Sequence, residues 1–89
     1  MMVPTIHLNG TSRDELLRQI LEAKEAICKA VEALANAAPN MRDYYVQGPD
    51  AFPAARREHE KRMHRLADCI HELNEIAEKI CAQGRGSAA

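Results

Sequence analysis

The side chains most able to bind a metal ion gather at His64, Asp68 and His71. Their spacing of four and three residues places them on one stripe of a helix. The two imidazoles would nevertheless stand about 10.5 Å apart along the helix axis, whereas zinc ligands lie within roughly 2 Å of the ion. One helix therefore cannot supply both imidazoles, and a site shared with a second helix is the remaining alternative.

Other signatures of a metal or cofactor are weaker. The Glu-x-x-His pair of di-iron bundles has no closer counterpart than Asp68 and His71. His59 falls on the apolar side of the same predicted helix, where we expect a hydrogen-bonded boundary residue. We therefore predict no metal and no cofactor.

The three cysteines are scattered, at Cys28, Cys69 and Cys81, without zinc-finger or Cys-x-x-Cys spacing. An odd number of such thiols indicates reduced cysteines in a cytoplasm, where they pack as small hydrophobic side chains. The sequence also lacks a recognisable nucleophile and base pair and a glycine-rich phosphate loop. We predict a cytoplasmic protein that is not an enzyme.

Positive charge is concentrated between positions 56 and 65. This stretch contains five basic residues and the two acids Glu58 and Glu60, so its net charge is +3. Residues 66–81 carry a net -3. The five bases are Arg56, Arg57, Lys61, Arg62 and Arg65. This polarity opposes the helix macrodipole, so local helix stability does not explain it. We expect two copies to pair antiparallel about an axis near Leu66 to Ile70, each basic half facing an acidic half. The alternative is that the five bases bind nucleic-acid phosphates.

All three aromatic residues, Tyr44, Tyr45 and Phe52, lie close together in the sequence. The prolines and glycine around them predict an ordered connection over residues 39–50. We expect the aromatics to close the end of a helix pair. The alternative is a docking surface for a protein partner, because Tyr and Arg are common interface anchors. Its candidate residues are Arg42, Tyr44, Tyr45 and Gln47.

A first helix is predicted over residues 13–38. Ser12 and Glu15 have capping-box spacing at its start, and Pro39 prevents its continuation. Its apolar residues form a wide face of two stripes. The first stripe is Leu16, Ile20, Ala23, Ile27, Ala30, Leu34 and Ala37, and the second is Leu17, Leu21, Cys28, Val31 and Ala35.

A second helix is predicted over residues 51–83, with Asp50 as its N-cap and Gly84 as its C-cap. Residues 84–89 carry no pattern and form a tail. The helix has an apolar seam close to a 3.5-residue repeat. The seam is Phe52, His59, Met63, Leu66, Ile70, Leu73, Ala77 and Ile80, with Cys69 and Ile76 on one shoulder. Ahead of both helices, Thr5 to Leu8 is expected to be a short extended segment that folds over a helix end.

These elements predict one all-α domain over residues 1–89, a long antiparallel helical hairpin. Each helix can bury only one side against the other. For a lone hairpin, the free energy gained from buried apolar area is then close to the cost in conformational entropy, so its net stability is near zero. We therefore expect a homodimeric four-helix bundle. Its core candidates are Met63, Leu66, Ile70 and Leu73.

The composition excludes several classes of protein. With 46% hydrophobic and 28% charged residues and a net charge of -1, the chain is too apolar and too neutral for intrinsic disorder. No stretch nears the roughly 18 uncharged residues of a membrane helix, and the start lacks a secretory leader pattern. We expect a soluble protein without a membrane partner.

Two short segments resemble a group of small phage and prophage proteins of unassigned function. They are Thr5-Ile6-His7-Leu8-Asn9-Gly10-Thr11-Ser12, and Arg42-Asp43-Tyr44-Tyr45 followed by Gln47-Gly48-Pro49. The resemblance implies a phage origin and hence a bacterial cytoplasm. The sequence thus predicts a non-enzymatic helical protein that acts through protein association, in phage-encoded regulation or assembly. The alternative function is a small nucleic-acid-associated regulator.

Overall fold

The computed structural model describes residues 1–87, and the side chains of residues 1–83. Within this part, two long helices pack against each other as a hairpin, α1 (Arg13–Asn36) and α2 (Ala51–Ser87), and no strand forms. The molecule is a rod of 64 × 19 × 18 Å. The predicted all-α hairpin is confirmed.

Helix α1 begins as its capping residues predict. The Ser12 hydroxyl accepts a hydrogen bond from the Glu15 main-chain N–H at 3.2 Å. The Glu15 carboxylate does not complete the box, because it accepts from Arg18 at 2.6 and 2.9 Å and from Gln19 at 3.0 Å. The helix ends at Asn36, two residues before the predicted end, and the N–H of Ala37 closes the last turn onto the Leu34 carbonyl.

The connection is ordered by two short 3-10 turns, Met41–Asp43 and Tyr45–Gln47. Asn40 starts the first turn, since its side chain accepts from the Asp43 N–H at 3.2 Å and donates to the Asp43 carboxylate at 3.0 Å. Gly48 ends the second turn with φ of 117°, a conformation that side-chain-bearing residues rarely adopt. The chain can therefore turn directly into α2.

Helix α2 begins at Ala51, where Asp50 contributes its main-chain carbonyl, which accepts from the Ala54 N–H at 3.2 Å. Pro53 is tolerated in the first turn, where its missing N–H would have no helical partner. The predicted end at residue 83 is wrong, because α2 continues to Ser87. Glycine weakens a helix by about 1 kcal/mol relative to alanine but does not by itself end one. Of the predicted tail, residues 88 and 89 lie outside the described residues.

The first residues fold over the end of α2, as predicted. The Ile6 N–H donates to Gln83 Oε1 at 2.9 Å, and Gln83 Nε2 donates to the Pro4 carbonyl at 2.6 Å. The Gly10 N–H donates to the His7 carbonyl at 3.1 Å and so closes a turn after this segment. This N-terminal segment leaves Val3 and Ile6 half-buried.

The core is small. Among the side chains that the structure describes, Ala55 and Ile80 alone are fully buried, at 7% and 0% exposure. Every residue of the predicted α2 seam is buried or half-buried, and so are both shoulder residues. The α2 pattern is therefore confirmed.

The wide face predicted for α1 is not covered. The half-buried stripe takes members from both predicted stripes and includes Lys24, whose aliphatic stem can pack on apolar neighbours. The stripe is Leu16, Leu17, Ile20, Lys24, Ile27, Val31 and Leu34. A helix that touches one neighbour buries one side, so the other apolar positions stay exposed. These are Leu21, Ala23, Cys28, Ala30, Ala35 and Ala37.

Candidate functional site

The hairpin exposes far more surface than a folded monomer of its size. Its accessible surface is 6780 Å², whereas monomeric proteins of 9.9 kDa expose about 5,200 Å². Its radius of gyration is 19.3 Å, against about 12 Å for a compact domain of this length. The excess of about 1,600 Å² directs attention to the faces that the two helices leave open.

An apolar groove runs between the helices at the middle of the rod. Its walls are Val31 of α1 with Met63, Ala67 and Ile70 of α2, and Glu60 and His64 flank it. The groove has a volume of about 310 Å³. Ala67, one of its wall residues, is exposed. We call this feature the central groove.

One edge of α1 extends the central groove along the rod. Cys28 lies three residues before Val31 and Ala35 four residues after it, so both are its neighbours on the helix surface. Leu21 lies seven residues, about two turns, before Cys28 and shares the same side. All three are exposed, and Leu21 is 54% exposed. The open apolar surface is therefore longer than the groove itself.

A second apolar depression lies at the connection. It is lined by Met41, Tyr45, Gly48, Pro49, Phe52 and Pro53 and has a volume of about 290 Å³. Met41 and Tyr45 are 61% and 66% exposed. The Arg56 guanidinium lies 5.8 Å from the centre of the ring of Phe52, one of the residues that line this depression. We call it the connection cleft.

The connection cleft and the central groove open on the same side of α2. Phe52 precedes Met63 by eleven residues, about three helix turns. Pro53, Glu60 and Ala67 follow at intervals of seven, about two turns each. A partner that lies along this side of α2 can contact both features at once.

The structure divides the predicted partner-binding residues. Tyr44 is half-buried, as expected of a residue that closes the helix pair. Arg42, Tyr45 and Gln47 are exposed, and Tyr45 lines the connection cleft. Tyr45 is thus the member of the set that is exposed and also lines this cleft.

The predicted dimer-core residues are also divided. Met63 and Ile70 line the central groove, where a second molecule can reach them. Leu66 and Leu73 are half-buried on the same seam but do not line this groove.

The five basic residues between positions 56 and 65 of α2 are all exposed, and none of these five forms an ion pair within the part of the chain that the structure describes. Arg57, Lys61 and Arg65 follow at four-residue intervals and share one side of the helix. Arg62, three residues before Arg65, borders this stripe, whereas Arg56 lies on another side.

The groups considered for metal or thiol chemistry stay apart. His64, Asp68 and His71 are exposed, and no set of three ligands that could hold a metal forms among the described side chains. Cys69 and Cys81 are half-buried, but Cys28 is exposed, which corrects the expectation that it packs on a buried face. Neither helix, as far as residue 87, combines the length and hydropathy needed to cross a membrane.

Sequence reasoning missed the residues that make the open side of the hairpin. Ala67 and Pro53 were in neither the seam nor the partner-binding set, because an alanine and a proline carry little pattern. Their seven-residue spacing with Glu60 was the available signal. Comparison with family models, curated proteins and solved structures gives no match.

Proposed function

We propose that the protein is a non-enzymatic association module that works as a homodimer, in which two hairpins stack into a four-helix bundle. The observation that carries this proposal is the accessible surface of 6780 Å², about 1,600 Å² beyond that of a comparable monomer. A standard interface covers about 800 Å² on each partner. The excess is therefore large enough for a stable dimer.

The central groove supports the same proposal. An apolar face in water favours burial, and Val31, Met63 and Ile70 are already half-buried at its walls. The exposed Ala67 lets a second helix approach closely. A second hairpin on this side buries the groove and the exposed edge of α1 together.

Sedimentation equilibrium tests the dimer. We expect the wild-type chain to be dimeric at tens of micromolar and Ala67→Arg to be monomeric, because the new guanidinium would be buried without a partner. The hairpin should remain folded in this variant, since Ala67 is exposed within one chain.

Ala33→Arg is the matched control, because Ala33 is also an exposed helical alanine but lies off the half-buried stripe of α1. This variant should stay dimeric. A monomeric wild-type chain, or equal association of both variants, overturns the proposal.

We extend the proposal to the role of such a dimer. Tyr45, exposed at the connection, is the anchor we assign to a further protein partner. The proposed setting is phage-encoded regulation or assembly in a bacterial cytoplasm. A pull-down with the wild-type chain and with Tyr45→Ala tests the anchor, and equal recovery of partners by the two argues against it.

A second candidate function is nucleic-acid binding, favoured by the exposed and unpaired stripe of Arg57, Lys61 and Arg65. If these bases contact phosphates, affinity in a mobility-shift assay should fall steeply with salt. Replacing the three by Gln should flatten that dependence, whereas Gln at Arg13, Lys29 and Arg42 should not. No shift at low salt rejects this function.

A further inference from the structure

Two opposite charges on the open side of α2 stand at equal distances from Ala67. Arg56 lies eleven residues before Ala67 and Glu78 eleven residues after it, about three turns each. Glu60 and Asn74 stand seven residues to either side. Arg56 and Glu78 thus carry opposite charges at equal distances from Ala67.

We propose that the connection cleft binds the segment 77–81 of α2 from a second copy of the chain, in an antiparallel dimer whose twofold axis passes near Ala67. This inference rests on the proposed homodimer and specifies its register. The axis brings Ala67 against Ala67, at the closest approach of the two α2 helices. It also brings Arg56 of one copy level with Glu78 of the other.

The register follows from counting along the helix. Pro53, in the cleft, lies fourteen residues before Ala67, and Cys81 lies fourteen residues after it. Fourteen residues are about four turns, so both face the same side as Ala67. A twofold axis at Ala67 therefore sets Cys81 of one copy beside Pro53 of the other.

The chemistry of the segment matches that of the cleft. The cleft has apolar walls formed by Met41, Tyr45 and Phe52, and the Arg56 guanidinium lies next to the Phe52 ring. The segment presents the half-buried Ala77 and Cys81 with the exposed Glu78 between them. Apolar side chains thus meet the walls and the carboxylate meets the guanidinium.

A parallel arrangement of the two copies fits less well. It would place Arg56 beside Arg56 and Glu78 beside Glu78, and like charges in contact oppose association. It would also leave the connection cleft facing a second connection cleft. Charge complementarity therefore selects the antiparallel arrangement.

Cysteine cross-linking tests the register. In a chain with Cys28→Ser and Cys69→Ser, the native Cys81 remains, and Pro53→Cys adds its expected neighbour. Positions 53 and 81 are about 42 Å apart within one helix, so a link between them must join two copies. We expect a short bismaleimide to give a covalent dimer whose cross-linked peptide joins positions 53 and 81.

The control carries Glu58→Cys in place of Pro53→Cys in the same background. Glu58 is exposed and lies five residues after Pro53, so it faces away from Pro53 on the helix. The link from position 53 should form roughly tenfold faster, since the docked interface holds those thiols at a high effective concentration. If the chain sediments as a dimer but Cys81 links to positions 53 and 58 equally, or to neither, the register is wrong and the homodimer proposal remains. A monomer overturns both.

Discussion

The side-chain oxygen of Gln83 accepts a hydrogen bond from the main-chain N–H of Ile6 at 2.9 Å. This bond connects the beginning of the chain to the far end of α2. The same amide donates to the Pro4 carbonyl at 2.6 Å. Ile80, one turn earlier, is fully buried. A single polar side chain thus holds the N-terminal segment over the open end of the hairpin.

Gln83→Ala should release the N-terminal segment, because both hydrogen bonds disappear. At about 0.5–1.5 kcal/mol for each bond, we expect a loss of about 1–3 kcal/mol in the free energy of unfolding. Chemical denaturation measures the loss, and limited proteolysis should cut within the first residues. Gln47→Ala, at an exposed position of the connection, should change neither. An unchanged cleavage pattern in Gln83→Ala would show that the tie is unimportant.

Gly48→Ala should destabilise the connection, because Gly48 has φ of 117° and an L side chain is strained there. We expect a cost of about 1–2 kcal/mol in the free energy of unfolding. Gly10→Ala is a suitable comparison, since its new Cβ would meet the exposed His7 ring, which can rotate away. Equal melting temperatures for the two variants would contradict the strain argument.

Reversing the two charges that the antiparallel dimer pairs should reveal their coupling. Arg56→Glu or Glu78→Arg alone sets like charges together, and each should weaken the dimer. The double variant restores opposite charges and should recover most of the affinity. The coupling energy should be about 0.2–1 kcal/mol and shrink as salt rises. Additive single effects in sedimentation equilibrium would mean that the two residues do not meet.

The start of α1 should lose stability in acid. Hydrogen bonds from Arg18, and then from Gln19, lower the pKa of Glu15 from 4.5 to about 2. Because the folded-state pKa is the lower one, the stabilisation is complete above pH 4.5 and disappears as the pH falls through about 2. The difference in melting temperature between the wild type and Glu15→Gln should therefore shrink over this range. A constant difference from pH 6 to pH 2 would refute the assignment.

The sequence predicted helix positions better than helix faces. The α2 seam was predictable because it is continuous from Phe52 to Ile80 and every member is buried or half-buried. The α1 face was not, because contact with α2 covers some members of each of the two predicted stripes and leaves the others exposed. The connection cleft depends on Gly48 and Asn40 turning the chain, which spacing alone does not specify.

The two buried side chains of the described chain, Ala55 and Ile80, lie twenty-five residues apart, near opposite ends of the rod. The Ala55 end is closed by the adjacent connection, whereas the Ile80 end is closed by residues separated from it by most of the sequence. Joining distant residues costs more chain entropy than joining near ones. The two helices should therefore begin to pair next to the connection during folding, and their pairing should reach Ile80 last. Amide hydrogens near Ile80 should exchange with solvent sooner than those near Ala55.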